Sequence, residues 1–195
     1  MKTLLKSMQN KKYGISEDKL SIFKGIVDDY EKEYGQNLVR IKCFEPEWDD
    51  KFSTALSIHL TKEQRFHLYE KNGACNGTGY DKERKEFAKK YAALPLAARL
   101  ELYCNTFGRD AILNDDNTIT VTFACTHGYY KRAREGKYNK PPENVELYFE
   151  RCAGGRLHEY QNALGIKLKI KSVDISKLNE NVLNPVTFIF EVINS

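Results

Sequence analysis

The chain has 195 residues, of which 41% are hydrophobic, 30% charged and 12% aromatic, enough apolar material for a core of one domain. That balance excludes a disordered tail, a collagen-like repeat and a polytopic membrane protein. A net charge of +4 is mildly basic, far from a polybasic nucleic-acid coat.

The first twelve residues carry Lys2, Lys6, Lys11 and Lys12 and read as a flexible basic arm ahead of one domain over 13–195. Only Leu4 and Leu5 are consecutive apolar residues there, too few for a secretory signal. No window approaches the roughly 18 apolar residues of a membrane span. A cytoplasmic protein is expected, in the host cytoplasm or the virion if it is viral.

Ser16 caps a helix in which Leu20, Phe23, Val27, Tyr30 and Tyr34 step by three and four, up to Gly35. Val39, Ile41 and Cys43 alternate with Arg40 and Lys42, the pattern of a half-buried strand. Leu56, Ile58 and Leu60 alternate with Ser57, His59 and Thr61 and predict a second strand. Thr61 with Gln64 forms a capping box for a helix to about Lys71.

Residues 72–79 (NGACNGTG) are a loop by composition. Asp81 opens a charged helix anchored by Phe87 and Tyr91, its mixed charges marking a solvated face. Pro95 restarts a helix with Leu96, Leu100 and Cys104 that ends at Gly108. Residues 114–117 (NDDN) form a turn between the strand Ala111–Leu113 and a strand from Thr118 to Thr126, with Ile119, Val121, Phe123 and Cys125 on one face.

Pro142 begins a helix with Val145, Phe149 and Cys152, which Gly154 and Gly155 are expected to break before a second piece bearing Leu157, Tyr160 and Leu164. Ile166, Leu168 and Ile170 alternate with Lys167, Lys169 and Lys171. The nearly unbroken apolar run from Val186 to Ile193 predicts a central strand. The fold class that follows is α+β: a single domain with a five- or six-stranded, mostly antiparallel sheet packed by helices on one face.

Two groups of residues could carry function. Tyr129, Tyr130, Lys131, Arg132, Arg134, Lys137 and Tyr138 interleave cations with aromatic rings, the pairing that single-stranded nucleic-acid sites use. The lysine-bearing strands extend that surface if they share a sheet face. The plainer alternative is a solvated loop beside edge strands whose lysines discourage aggregation. Cys75, in its glycine-rich loop, and His127, at a strand end, are weak candidates for a thiolate–imidazole pair of a cysteine-dependent hydrolase or transferase. His59, His67 and His158 are equal candidates for its imidazole.

The run Cys75-Asn76-Gly77-Thr78-Gly79 resembles half of the C-x-x-C-x-G-x-G zinc repeat of J-domain cochaperones. Asn72 stands where the second thiol belongs and no second repeat follows, so neither a metal nor any other cofactor is expected. His59-Leu60-Thr61 matches one H-x-T element of two-histidine phosphoesterases without its partner. Phosphate-loop, dinucleotide and nucleophile-elbow signatures are missing. Five cysteines, none closely paired in sequence, read as reduced thiols.

With no catalytic constellation and with 12 tyrosines suited to interfaces, the sequence favours a non-enzymatic binding or assembly protein that acts through protein–protein contacts or self-assembly. High Asn, Lys and Tyr usage points to an AT-rich genome such as that of a phage or other mobile element. There a virion part or host-factor inhibitor is the natural role. Nucleic-acid binding is the alternative.

Overall fold

A computed structural model describes residues 1–34, 46–73, 80–125 and 144–193. Among the described residues there are seven α-helices and four strands. In chain order they are α1 (Lys2–Met8), α2 (Glu17–Tyr34), α3 (Pro46–His59), α4 (Lys62–Asn72), α5 (Asp81–Lys90), α6 (Leu96–Phe107), β1 (Asp110–Leu113), β2 (Thr118–Phe123), α7 (Val145–Leu164), β3 (Lys167–Asp174) and β4 (Val186–Ile193). The strands form one antiparallel sheet in the order β1-β2-β4-β3. The α+β class therefore holds, with four described strands instead of five or six. The expected strand over 39–43 lies outside the described residues.

The expected strand at Leu56–Leu60 is instead the end of α3. Phe52, Leu56 and Leu60 are buried, four residues apart, while Ile58 is 68% exposed. A spacing of four satisfies both the strand period of two and the helical period of 3.6, so Leu56 and Leu60 alone do not distinguish them. Ile58, inward in a strand, faces away in the helix. Thr61 then opens α4 with its capping box complete: its hydroxyl accepts from Gln64 N (3.2 Å) and the Gln64 side chain accepts from Thr61 N (3.1 Å).

Where the sequence suggests a loose arm, Lys2–Met8 is helical and buries Leu4 and Met8. The Ser7 hydroxyl donates to Asn72 Oδ1 on α4 (2.7 Å). Two apolar side chains one turn apart give this short helix a stripe to dock with, which its lysine content obscures.

Helix α7 runs unbroken through Gly154 and Gly155. The glycines permit a close helix crossing. A Cβ on Gly154 would stand 2.1 Å from the Tyr69 carbonyl oxygen of α4, and one on Gly73 would stand 2.1 Å from Gly155 N. Leu147, Phe149, Cys152, Ala153, Leu157, Tyr160, Ala163 and Leu164 are all buried, so α7 is the axis of the core, packed between α4, α5 and the sheet. Arg65 and Glu150 lock the crossing: Nε and Nη2 of Arg65 donate to the two Glu150 carboxylate oxygens (2.8 and 2.9 Å), with Glu150 wholly buried.

Side chains on one face of the sheet meet the helices: Ile119, Val121, Phe188, Phe190, Leu168 and Ile170 are buried. Register shifts between Ile170 and Ser172, so the bulge at Lys171 resets the alternation and returns Val173 to the core. Edge strand β3 is covered in part. Leu168 N donates to Gln161 on α7 (2.9 Å) and Ile170 N donates to Glu70 on α4 (3.1 Å). The turn between β1 and β2 closes at Asn117, whose φ of 60° is the left-handed conformation that asparagine tolerates.

Candidate functional site

The densest polar cluster among the described residues lies where α5, the α6–β1 junction and α7 meet. Helical spacing supplies most of it. Asp81 and Arg84 sit one turn apart on α5; Arg156 and Glu159, then His158 and Asn162, are neighbours on α7. Gly108 ends α6 at a φ of 59°, and Arg109 N donates to Cys104 O (2.9 Å). That reversal places Arg109 against α7.

Glu159 is fully buried and stands at the centre. Arg109 Nε lies 2.6 Å from its Oε1 and Arg84 Nη2 lies 3.5 Å from Oε2, where Arg156 Nη1 also makes a close ion pair. The Tyr103 hydroxyl donates to Oε1 (2.8 Å). Burial pushes the Glu159 carboxyl up, but the Arg156 and Arg109 charges outweigh it and hold it below the ordinary carboxylate range. Burial, with the Glu159 charge beside it, pushes the Tyr103 hydroxyl well above its usual value, so it stays a donor. Arg84 also reaches Asp81 (3.3 Å), which pairs with His158 Nε2 (3.0 Å). Asn162 Nδ2 contacts the same ring nitrogen (3.0 Å).

Because the folded Glu159 pKa is depressed, its ion pairs contribute fully above the unfolded carboxylate pKa, and the contribution is lost as pH falls through the folded value. Melting temperature should fall as pH drops below the ordinary carboxylate range, with a smaller fall in Glu159→Gln. An equal acid drop in both proteins would contradict this.

Among the described residues, His158 has Asp81 and Asn162 as hydrogen-bond partners. His59 and His67 serve in ring packing, against Phe23 (6.2 Å) and Tyr13 (4.9 Å). Thr61 of the H-x-T tripeptide is a helix cap. Cys75 and His127 lie outside the described residues, as do Tyr129, Tyr130, Lys131, Arg132, Arg134, Lys137 and Tyr138. Cys104, Cys125 and Cys152 are buried. Burial pushes the Cys104 thiol up, away from nucleophilic character. Among the described residues no three His, Cys, Asp or Glu side chains are grouped to hold a metal, and no helix is long and apolar enough to cross a membrane.

The arginine cluster was missed because α5 reads as a solvated face, whereas Arg84 is 6% exposed. The available signal was Glu159, an acid set among Leu157, Tyr160 and Ala163.

The outer face of the sheet is the second candidate. Lys167, Lys169 and Lys171 are exposed, as are Thr122 and Glu191. Lys171 Nζ pairs with Asp116 (3.1 Å), and Lys169 stands opposite Glu191 in the register. Ile112 is 60% exposed and Ile189 half-buried.

The chain matches no protein-family model, and comparison with curated proteins and with solved structures gives no significant match.

Proposed function

We propose that this is a non-enzymatic assembly protein that associates with a second copy of itself through the outer face of its sheet. The observation that carries the reading is the composition of that face. Isoleucines at 112, 189 and 193 alternate with threonines at 120, 122 and 187. Charges of both signs accompany them, from Lys167 and Lys169 to Glu191 and Asp110.

Rotating a copy about an axis parallel to the strands keeps each level along them and lays its β3 over β1, which brings Ile112 of one copy and Ile189 of the other, level in the register through Thr120, onto neighbouring strands. Sheets pack face to face about 10 Å apart, close enough for the isoleucines to meet. Burying one exposed isoleucine is worth roughly 1.5–3 kcal/mol, which favours this face over a purely charged one. The lysine row has acidic neighbours, which makes it a poor track for a phosphate backbone. The nucleic-acid alternative rests on residues 129–140.

Light scattering during size-exclusion chromatography tests the reading. The wild-type chain should elute as a dimer, and Ile112→Glu combined with Thr122→Arg should elute as a monomer with an unchanged circular-dichroism spectrum. A monomeric wild type, or a dimer that survives both substitutions, overturns it.

A further inference from the structure

Seven consecutive residues at 92–98 (AALPLAA) carry no polar side chain, in a chain that is 30% charged. They link α5 to α6 and supply the first residues of α6, and Ala92, Ala93, Leu94, Pro95 and Ala97 are exposed. An apolar run in a core helix is explained by burial; an exposed one marks a contact surface. This run borders a half-open cavity of about 500 Å³ at the end of the sheet, with Leu96 in its wall.

Backbone geometry builds that cavity. Gly165 ends α7 in the left-handed region (φ 65°) and turns the chain into β3, which brings Ile166 and Lys167 into the wall. Arg99, one turn after Leu96, donates from Nη1 to Leu164 O (2.5 Å) and ties α6 to the end of α7. Asn117 closes a further side: Val192 N donates to Asn117 O (3.1 Å), and Asn117 Nδ2 donates to Val192 O (3.3 Å). Val192 and Ile193 complete the apolar wall. Lys167 is the one charged residue that lines the cavity. Its side chain is exposed, and no carboxylate pairs with it among the described residues. Glu191 stands opposite Lys169, two residues along, and does not line the cavity.

We infer that this cavity binds a small amphiphilic anion, an aliphatic carboxylate, with its chain against Leu96, Ile166, Val192 and Ile193 and its carboxylate at the Lys167 ammonium. Chain carbons that cover the four apolar side chains release water from both, and the lone cation at the rim selects the sign of the head group. Ligand sites commonly enclose about 300–1,000 Å³, mostly apolar with a few polar groups that orient the ligand. The exposed run 92–98 continues the apolar wall outside the cavity. Ile193 also lies on the proposed self-association face, but Leu96 and Ile166 do not, and the inference does not rest on that association.

Titration calorimetry with octanoate tests the inference on the wild-type chain and on the variant with Ile112→Glu and Thr122→Arg, neither of which lines the cavity. Both proteins should bind octanoate, so a failure of self-association leaves this result readable. Affinity should rise about two- to fourfold per methylene from hexanoate to octanoate. Octylamine, with the same chain and the opposite charge, should bind about fivefold more weakly than octanoate. Lys167→Glu should weaken octanoate binding by about the same factor, and Leu96→Trp should weaken it by filling the cavity. Lys167 is exposed, so Lys167→Glu keeps the fold and carries the test if Leu96→Trp does not fold. No binding of octanoate, an affinity independent of chain length, or binding unchanged in Lys167→Glu overturns the inference. Binding to phosphatidylglycerol vesicles with none to octanoate assigns the surface to a bilayer and overturns it as well.

Discussion

Gly154→Ala is expected to destabilise the protein by about 3 kcal/mol or more. In a chain of this length that lowers the melting temperature by roughly 6–12 °C. The new methyl carbon would be placed 2.1 Å from the Tyr69 carbonyl oxygen and 3.0 Å from Gly73 Cα. Both are backbone atoms, so no rotamer change relieves the clash and α4 must move away from α7. Separation of those helices also pulls Arg65 from Glu150. Gly25→Ala is the control. Gly25 lies within α2 with nothing within 4 Å of its added Cβ, so alanine there should stabilise the fold by about 0.5–1 kcal/mol through helix propensity. Differential scanning calorimetry of the two variants reads both signs. A Gly154→Ala protein as stable as wild type would contradict the close crossing.

Arg65→Ala is expected to cost about 3–5 kcal/mol, because it strands the Glu150 carboxylate in the core without its partner. Arg65 makes three hydrogen bonds: two to Glu150 and one from Nη1 to Leu60 O (3.0 Å), at the junction between α3 and α4. Arg65→Met with Glu150→Leu removes both charges together and should recover most of the loss, leaving chiefly the cost of the unpaired Leu60 carbonyl. Urea denaturation of the single and double variants gives the coupling directly. If the double variant is as unstable as the single one, the cost lies elsewhere than in the buried charge.

Much of the fold was legible in the sequence. Helix periodicity marks α2 and α6, Gly108 marks the end of α6, Thr61 and Gln64 mark the start of α4, and residues 114–117 mark the tight turn. Each depends on residues near one another in the chain. The errors share an opposite cause. Gly154 and Gly155 look like a break because glycine disfavours helix; the demand they meet comes from Tyr69 and Gly73, some 80 residues earlier. Leu56 and Leu60 look like a strand because four is a multiple of two. Lys2 and Lys6 look like a solvated arm because their charge hides Leu4 and Met8.

The candidate site was less legible. Arg84, Arg109 and Glu159 come from three elements, and ion pairing across such separations leaves no local pattern. The lysine row on β3 was visible, but its acidic neighbours were not: Glu191 is brought opposite Lys169 by register, and Asp116 reaches Lys171 from a turn. Those neighbours make the lysine row a poor track for a polyanion.

The most direct test is methyl NMR of isoleucine-labelled protein across a dilution series. Ile112, Ile189 and Ile193 lie on the proposed contact face, whereas Ile22 and Ile58 are exposed on helices α2 and α3. The account predicts concentration-dependent shifts and lowered solvent accessibility at the three sheet methyls, with the two helical ones unmoved. Dilution-independent spectra at the sheet positions, or changes confined to Ile22 and Ile58, would contradict it.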